Sequence, residues 1–348
     1  MKDIFSQRLK SARLMAGYSL QSLADEMENC ITKQAIHKYE NGLMLPNSDI
    51  LLKLASILCI KVDYFFKEKK IVLQGVEFRK QNRLSKKALN SIREKTIDYL
   101  ERYLNIETLL NAELIFENPI KDLIIETGHD VETACEELRR AWKLGENPVP
   151  NVIEMLEFKG IKIFEVDISA EFDGMSAWVD TVPVLALRKD VDIVRLRFTA
   201  LHELAHILLN FSTKLNEKAV EKLCHHFAGA VLLPAKSIFT ELGKNRHRIS
   251  LNELISIKAY FGISIQAIMA RAKSLNIIGD SQYRNFNMFI RQMGYHKNEP
   301  GKYEGDERTD RFDSLVYRAA SEEIISLSKA SSLLNVRLAD LQNNFQVI

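Results

Sequence analysis

The chain has few cysteines, little net charge and no long hydrophobic run. Its four cysteines form no CxxC pair; they are Cys30, Cys59, Cys135 and Cys224. This scatter argues against a disulfide framework and against a cysteine-based zinc site. No stretch approaches the roughly 20 apolar residues that a membrane-spanning helix needs, and no signal-peptide pattern opens the chain. We therefore expect a cytoplasmic protein without a membrane partner.

The formal net charge of +2 is too small to indicate nucleic-acid binding by itself. Hydrophobic residues make up 46% of the 348 residues and charged residues 27%, which is typical of a folded chain rather than a disordered one. The length allows two or three domains. Function must therefore be predicted from local patterns.

Residues 1–66 show the pattern of five short helices around one small core. Ser19 and Thr32 are good N-caps for the second and third helices, and Asn41-Gly42 ends the third. The second helix, the turn and the third helix fit helix-turn-helix geometry. In that geometry the second helix of the motif enters the major groove of DNA.

The predicted recognition helix runs from Thr32 to Asn41. Four of its polar residues would face the groove: Lys33, Gln34, His37 and Lys38. Glutamine can pair with adenine through two hydrogen bonds, and lysine can reach guanine or phosphate. Gln21 and Asn41 are placed to contact phosphates. An ordinary helical domain with a solvated polar face would show the same pattern, so the residues alone leave both interpretations open.

Several strings in this segment resemble the XRE (Cro/CI-like) family of phage-repressor domains. They are Arg8-Leu9-Lys10-Ser11-Ala12-Arg13, Ser19-Leu20-Gln21-Ser22-Leu23-Ala24, Ile36-His37-Lys38-Tyr39-Glu40-Asn41-Gly42, Pro46 and Leu54-Ala55-Ser56-Ile57-Leu58. The resemblance implies a double-stranded DNA operator as partner. Single modules of this kind bind weakly, so we expect a homodimer on a palindromic site.

A connector is predicted from 67 to 130. Its first part, Ile71–Phe78, has the pattern of a strand or extended segment. Its second part, Leu84–Phe116, has the pattern of a long helix that packs onto the second domain. The same helix is a candidate dimer element, although a helix packed within one chain would show the same pattern.

The motif HExxH occurs once, as His202-Glu203-Leu204-Ala205-His206, within the apolar helical stretch Val194–Leu209. On a helix, His202 and His206 project from one face about one turn apart, so both can bind one Zn²⁺. Glu203 can take a proton from a water that the metal activates near neutral pH. These polar residues would be costly in a buried helix without partners, which favours a metal site over a chance match.

A catalytic zinc site usually has three protein ligands and one open position. We expect the third ligand on the next helix, which the pattern places at Glu217–Leu233. Glu221, 15 residues after His206, is the leading candidate. Spacing alone leaves three rivals open: Glu217, His225 and His226.

Three strings in this region resemble the ImmA/IrrE metallopeptidases. They are Arg195-Leu196-Arg197-Phe198-Thr199-Ala200-Leu201 before the motif, Glu221 followed by Phe227-Ala228, and Leu232-Leu233-Pro234. The resemblance implies Zn²⁺ as cofactor and Glu221 as the third ligand. The chain has Cys224 and His225 where the family usually has alanine and asparagine. His225 is therefore an alternate ligand, a group beside the ligands or a plain polar surface residue.

Upstream of the motif, Asp173-Gly174-Met175-Ser176-Ala177 also fits the pattern of this family. An edge strand here could hold an extended peptide by backbone pairing.

The fold class predicted from these patterns is mainly α with a small β-sheet (α+β). The N-terminal helix-turn-helix domain is followed by a zincin-like metallopeptidase domain and a C-terminal helical region, which ends in a pair of helices within Ser314–Gln342. The predicted boundaries are 1–66, 67–130, 131–245 and 246–348.

Two functions follow from this combination. The first is a DNA-binding regulator that is also a zinc endopeptidase, with Glu203 as general base and a partner repressor or antitoxin as protein substrate. The second is a transcription regulator or antitoxin whose metallopeptidase-like domain serves as a sensor or dimerisation module with little turnover. A catalytic glutamate beside the open position favours the first.

Overall fold

The structure is a computed structural model that describes residues 2–28, 30–68, 85–167 and 172–346. The predicted extended segment Ile71–Phe78 lies outside these residues, as does Leu84. The described residues form two compact units. The first contains those up to Glu113 and those from Asp310 onward, and the second contains those within Leu114–Thr309.

The secondary structure elements of the described residues follow one another in this order: α1 Lys2–Met15, α2 Leu20–Glu26, α3 Lys33–Glu40, α4 Ser48–Ile57, a 3-10 helix Val62–Phe66, α5 Lys86–Leu110, β1 Ile124–Ile125, α6 Gly128–Ala141, α7 Val152–Phe158, β2 Lys162–Val166, β3 Gly174–Val179, β4 Val182–Arg188, α8 Ile193–Leu208, β5 Asn210–Phe211, α9 Glu217–Leu232, α10 Ala235–Leu242, α11 Leu251–Phe261, α12 Ile265–Ser274, α13 Asp280–Gln292, α14 Arg311–Ser321, α15 Leu327–Leu334 and α16 Leu338–Asn344. The predicted class, mainly α with small sheets, is confirmed.

The first unit contains the predicted N-terminal helices around one apolar core. The side chain of Ser19 accepts a hydrogen bond from Ser22 N at 2.9 Å and begins α2. The side chain of Thr32 accepts one from Ala35 N at 3.2 Å and begins α3. Each cap satisfies a backbone N–H that has no partner inside the helix. The fifth predicted helix is a 3-10 helix rather than an α-helix.

The long helix α5 packs against α1, within the first unit. Ser91 Oγ donates to Met15 O at 2.7 Å, and Arg8 Nη1 lies 2.7 Å from Glu101 Oε2. The expectation that this helix packs onto the second domain is therefore wrong. Periodicity identifies an apolar face but not the surface that covers it.

Three C-terminal helices, rather than the predicted pair, complete the first unit. In α14, Phe312 stacks on Tyr103 of α5 with ring centroids 5.4 Å apart. Arg311 Nη2 lies 2.9 Å from Glu107 Oε1, and the Glu107 side chain is 1% exposed. Because a buried carboxylate is costly without a counter-charge, this pair ties the returning chain to α5.

The second unit contains two small sheets among its described residues. In the larger one, β4 lies in the centre, parallel to β2 and antiparallel to β3. This order leaves β3 as an edge strand. The shorter sheet pairs β1 with β5 in parallel. Helices α8 and α9 pack through fully buried residues, among them Leu204, Ala205, Phe227 and Ala228.

The segment between α13 and α14 is fixed to the second unit by two acidic side chains. Glu299 accepts hydrogen bonds from Ile265 N at 2.8 Å and Gln266 N at 3.0 Å, and so caps α12. Glu307 accepts from Val152 N at 3.0 Å and Ile153 N at 2.8 Å, and so caps α7. A carboxylate at a helix N-terminus accepts hydrogen bonds from N–H groups that have no partner within the helix. Its negative charge also interacts favourably with the helix dipole.

Glu307 also pairs with Arg197 of α8, and both side chains are fully buried. Arg197 donates further hydrogen bonds to backbone carbonyls, including Val149 O at 2.7 Å and Gly262 O at 3.1 Å. The arginine of the Arg-Phe-Thr string therefore holds α8 in place rather than taking part in chemistry.

No single described helix is long and apolar enough to cross a membrane. Only α11 and α12 together pass such a test of length and composition, and they are bent by 101° relative to each other.

Candidate metal centre

The two histidines of the HExxH motif lie on α8, which is capped at its N-terminal end. Asp192 begins the helix, since its side chain accepts hydrogen bonds from Val194 N at 3.0 Å and Arg195 N at 3.2 Å. His202 and His206 project from one face, with ring centroids 5.0 Å apart. Their side chains are 13% and 6% exposed.

Glu221 of α9 faces both histidines. His202 Nε2 lies 3.2 Å from Glu221 Oε2, and His206 Nε2 lies 3.3 Å from Glu221 Oε1. Hydrogen bonds from the two imidazoles hold the pKa of Glu221 far below its usual value. The carboxylate is therefore ionised at neutral pH. Of the four residues considered for the third ligand, Glu221 is the one whose carboxylate contacts both imidazoles.

These residues fit a zinc ion by donor type, and both imidazoles contact the carboxylate of Glu221. Two imidazole nitrogens and one carboxylate are a common catalytic zinc set. His202 Nδ1 is buried without a hydrogen-bond partner among the described residues, so the protein leaves part of this imidazole unsatisfied. The nitrogen of His202 that faces Glu221 is Nε2, which is therefore the atom that would bind the metal.

The set of possible ligand atoms that lie mutually close differs from the predicted one. Among the described residues, His202, Glu221 and His225 each offer one ligand atom, and these atoms all lie within 4.8 Å of one another. His206 is not part of that set, although it contacts the other oxygen of Glu221. The individual contacts connect all four side chains, so we regard the centre as the group His202, His206, Glu221 and His225.

Glu203 is buried beside this group and has a specific partner. Ser176 Oγ in β3 donates a hydrogen bond to Glu203 Oε2 at 2.9 Å. Sequence reasoning named Ser176 only as part of a string and missed this contact. The contact fixes one carboxylate oxygen and links the edge strand to α8.

A close approach between β3 and α8 makes the contact possible. A methyl group placed on Gly174 would lie 2.6 Å from Thr199 Cγ2 and 3.2 Å from Glu203 Cγ. Contacts shorter than 3.0 Å are not tolerated without movement, so any side chain here would force Thr199 or the strand to shift. The glycine in the string 173–177 was the available sequence signal.

Further polar contacts position α9. Cys224 Sγ lies 3.5 Å from His206 Nδ1. His226 contacts Glu132 of α6, which also pairs with Arg271 of α12. His226 therefore binds Glu132 rather than the metal centre. Arg271 makes a further contact, because its Nε donates to Leu233 O at 3.2 Å. Glu217, the fourth candidate for the third ligand, is exposed in the first turn of α9.

The residues predicted to contact DNA lie on the surface of the first unit. In α3, Ile36 and Tyr39 are buried. The polar residues predicted to face the groove or the phosphates are all exposed: Gln21, Lys33, Gln34, His37, Lys38 and Asn41. Three of them, Gln21, His37 and Asn41, take part in local contacts. Gln21 Nε2 donates to Asp25 Oδ1 at 2.8 Å, and Asn41 Nδ2 donates to His37 O at 2.7 Å.

The orientation of α3 is fixed by a buried ion pair. Arg13 of α1 binds Glu40 through two hydrogen bonds, of 2.6 Å from Nε and 2.9 Å from Nη2. It also donates to Tyr18 O at 2.8 Å. This fork geometry gives direction as well as charge attraction. It holds the C-terminal end of α3 against α1, with the polar face outward.

Comparison with known proteins identifies both parts of the chain. Residues 9–65 match the family model of the helix-turn-helix, and residues 156–273 match the peptidase M78 model, described as the IrrE N-terminal-like domain. A relative is the SPbeta prophage-derived uncharacterized HTH-type transcriptional regulator YonR of Bacillus subtilis (strain 168). It is 41% identical over 64 residues, which are 18% of this chain and 57% of that protein.

Both resemblances found in the sequence are thus confirmed. The chain carries an XRE-type helix-turn-helix region and an IrrE-like domain. The match to the peptidase model includes α8 and α9, which bring the histidines and Glu221 together. The chain spans just over half the length of the regulator that it matches.

Proposed function

We propose that this protein is a DNA-binding transcriptional regulator with zinc-dependent endopeptidase activity. The observation that carries the proposal is the convergence of His202, His206 and Glu221, with Glu203 held beside them by Ser176. The predicted segments 1–66 and 131–245 would supply DNA binding and peptide hydrolysis, respectively. The proposed address is the cytoplasm, where a DNA operator is accessible.

His202, His206 and Glu221 would hold the metal, and Glu203 would act on the reacting water. Bound zinc supplies Lewis acidity, which activates water near neutral pH and polarises the scissile carbonyl. Glu203 accepts the proton of the attacking water and passes it to the leaving amine. The hydrogen bond from Ser176 occupies one oxygen of Glu203, so the other is available for proton transfer.

The edge strand β3 is the proposed binding place for the substrate peptide. Its one partner among the described strands is β4, so β3 lies at an edge of that sheet. An extended peptide could add there as a further strand. Because Ser176 lies in β3, such a peptide would pass close to Glu203.

The proposed substrate is a repressor or antitoxin, and the proposed DNA partner is an operator bound by a homodimer. A DNA-bound peptidase would be concentrated near a repressor that binds the same region. Cleavage would then release stress or mobile-element genes from repression.

Substitution of Glu203 by glutamine tests the enzyme proposal. The full-length variant should retain zinc, measured by elemental analysis, and operator binding, measured by gel shift. It should lose cleavage of a co-expressed repressor encoded next to this gene, by about 10²-fold or more. Glu217→Gln is a matched control, because Glu217 is exposed and should not affect cleavage. If Glu203→Gln cleaves as fast as the unmodified chain, Glu203 is not the general base and the enzyme proposal is wrong. If the unmodified chain cleaves nothing, the domain is instead a sensor or dimerisation module without turnover.

A further inference from the structure

His225 lies one helical turn after Glu221, at the exposed margin of the candidate metal centre. Its ring centroid is 4.4 Å from that of His202, and its ring also lies 5.9 Å from that of Phe198. Its ligand atom belongs to the set with His202 and Glu221 that fits within 4.8 Å. His225 is therefore within reach of the same ion.

A hydrogen bond determines which nitrogen of His225 can bind a metal. His225 Nδ1 lies 2.7 Å from the backbone carbonyl of Glu221. A carbonyl oxygen can only accept, so Nδ1 carries the proton and donates it. In the neutral ring, Nε2 then has a free lone pair. Metal-binding histidines commonly show this arrangement, with one nitrogen donating to a backbone carbonyl and the other on the metal.

The same hydrogen bond argues against a different role. A histidine that stabilises the oxyanion of a peptide transition state must donate a hydrogen bond to it. Neutral His225 has its one proton committed to Glu221 O, so Nε2 can accept but cannot donate. His225 is also poorly placed to support a metal ligand by a hydrogen bond to that ligand's second nitrogen. Its ring lies against the ring of His202 itself.

We propose that His225 is a fourth protein ligand that closes the metal centre, and that its withdrawal opens the position needed for a peptide. The proposal rests on the proposed function, since it concerns the regulation of that same site. Four protein ligands are typical of structural zinc sites, whereas catalytic sites keep one position open. When His225 binds the metal, the centre is stable and inactive. With His225 turned outward, the centre has the three-ligand form.

Exposure makes this exchange feasible. His225 is exposed on the surface of the helix, unlike His202 and His206, so its ring can rotate into water without opening the core. A peptide that adds to β3 would compete with the imidazole for the same position. Substrate binding and release of His225 are then one event, which limits hydrolysis to peptides that pair well with the strand.

The test compares zinc affinity, cobalt spectra and cleavage in the full chain. We would measure zinc affinity by competition with a chromophoric chelator for the unmodified protein, His225→Asn and His206→Asn. His247→Asn is the matched control, because His247 is exposed in the same unit and has no part in the centre. Thermal melting of each variant would check that the fold is retained.

The expected result is that His225→Asn lowers zinc affinity but raises the rate of cleavage. His225→Asn should lower zinc affinity at least tenfold. It should also reduce the visible absorption of the Co²⁺-loaded protein, because water replaces a nitrogen ligand and a further water can bind, which raises the coordination number. At saturating zinc, the same variant should cleave its substrate two- to tenfold faster. His206→Asn should lower both affinity and cleavage, and His247→Asn should change neither.

Unchanged zinc affinity and an unchanged cobalt spectrum in His225→Asn would overturn the proposal while leaving the enzyme proposal intact. A weaker affinity in a protein that cleaves nothing would support His225 as a ligand and count against the peptidase. If the unmodified chain binds no zinc, both proposals fall.

Discussion

Ser176 Oγ and Glu203 Oε2 are 2.9 Å apart, and this hydrogen bond joins the edge strand β3 to helix α8. The strand proposed to hold the substrate and the carboxylate proposed to move the proton are thus directly linked. A peptide that pairs with β3 would therefore affect Glu203 through the side chain of Ser176.

Replacing Ser176 by alanine should lower kcat about tenfold and leave KM within about twofold. A net hydrogen bond of this kind contributes roughly 1–1.5 kcal/mol, which corresponds to that factor. Zinc content should not change, since Ser176 is not one of the proposed ligands. Thr181→Ala, an exposed hydroxyl just beyond β3, is the control. A change in KM without a change in kcat would mean that Ser176 contacts substrate instead of positioning Glu203.

Replacing Gly174 by alanine should destabilise the protein by about 1–3 kcal/mol, because the added methyl group would overlap Thr199 Cγ2. Adding Thr199→Ser, which removes that methyl group, should recover part of the loss. Urea unfolding measures both. Gly279→Ala is the control, since its methyl group would meet only the movable end of Gln282. Equal losses in the single and double variants would show that the overlap is not the cause.

The ion cluster around Glu132 predicts a pH-dependent stability. Burial raises the pKa of Glu132, but hydrogen bonds and charge from His226 and Arg271 outweigh it and lower the pKa to about 2. A carboxyl with a depressed pKa stabilises the fold above its ordinary value of roughly 4.3. That contribution is lost as the pH falls through the folded-state pKa.

We therefore compare Glu132→Gln with the unmodified chain by urea unfolding between pH 6 and pH 2.5. The variant should be less stable by about 3 kcal/mol at pH 6, and the difference should shrink below about pH 4.5. Glu136→Gln, an exposed residue on the same helix, should show little difference at any pH. A Glu132→Gln difference that does not vary with pH would contradict the assigned charge pairing.

For DNA, the double substitution Gln34→Ala and Lys38→Ala should weaken operator binding by about 2–4 kcal/mol in total. Base contacts of this type are each worth roughly 1–3 kcal/mol. The fall should be smaller on unrelated DNA, and it is measured by gel shift at fixed salt. Cleavage should persist. Lys244→Ala, an exposed lysine of the second unit, is the control. An equal loss on all sequences would mean that these residues contact only phosphates.

Much of the local structure could be predicted from the sequence, because its signals are local. The N-caps Ser19 and Thr32 marked α2 and α3, and the apolar stretch around HExxH became α8 with its histidines on one face. The HExxH spacing predicts a helix face because the side-chain period of a helix is fixed.

The features that the sequence did not predict depend on contacts between segments that are distant along the chain. Nothing near Ser176 in the sequence indicates that it would meet Glu203, 27 residues away, and nothing near His225 indicates which nitrogen carries its proton. Likewise, the helical pattern of α5 could not indicate that α14 would cover it. Burial of Glu107 against Arg311 appears only in three dimensions.

The return of the chain to α5 has a practical consequence for anyone dividing this protein by truncation. The first unit is encoded on both sides of the second, so no single cut separates them. A fragment that stops at Glu113 would lack Phe312 and would therefore expose the rings of Tyr99 and Tyr103. It would also lack Arg311, the arginine that pairs with the buried carboxylate of Glu107. An isolated DNA-binding fragment should aggregate unless residues from Asp310 onward are spliced back through a short linker.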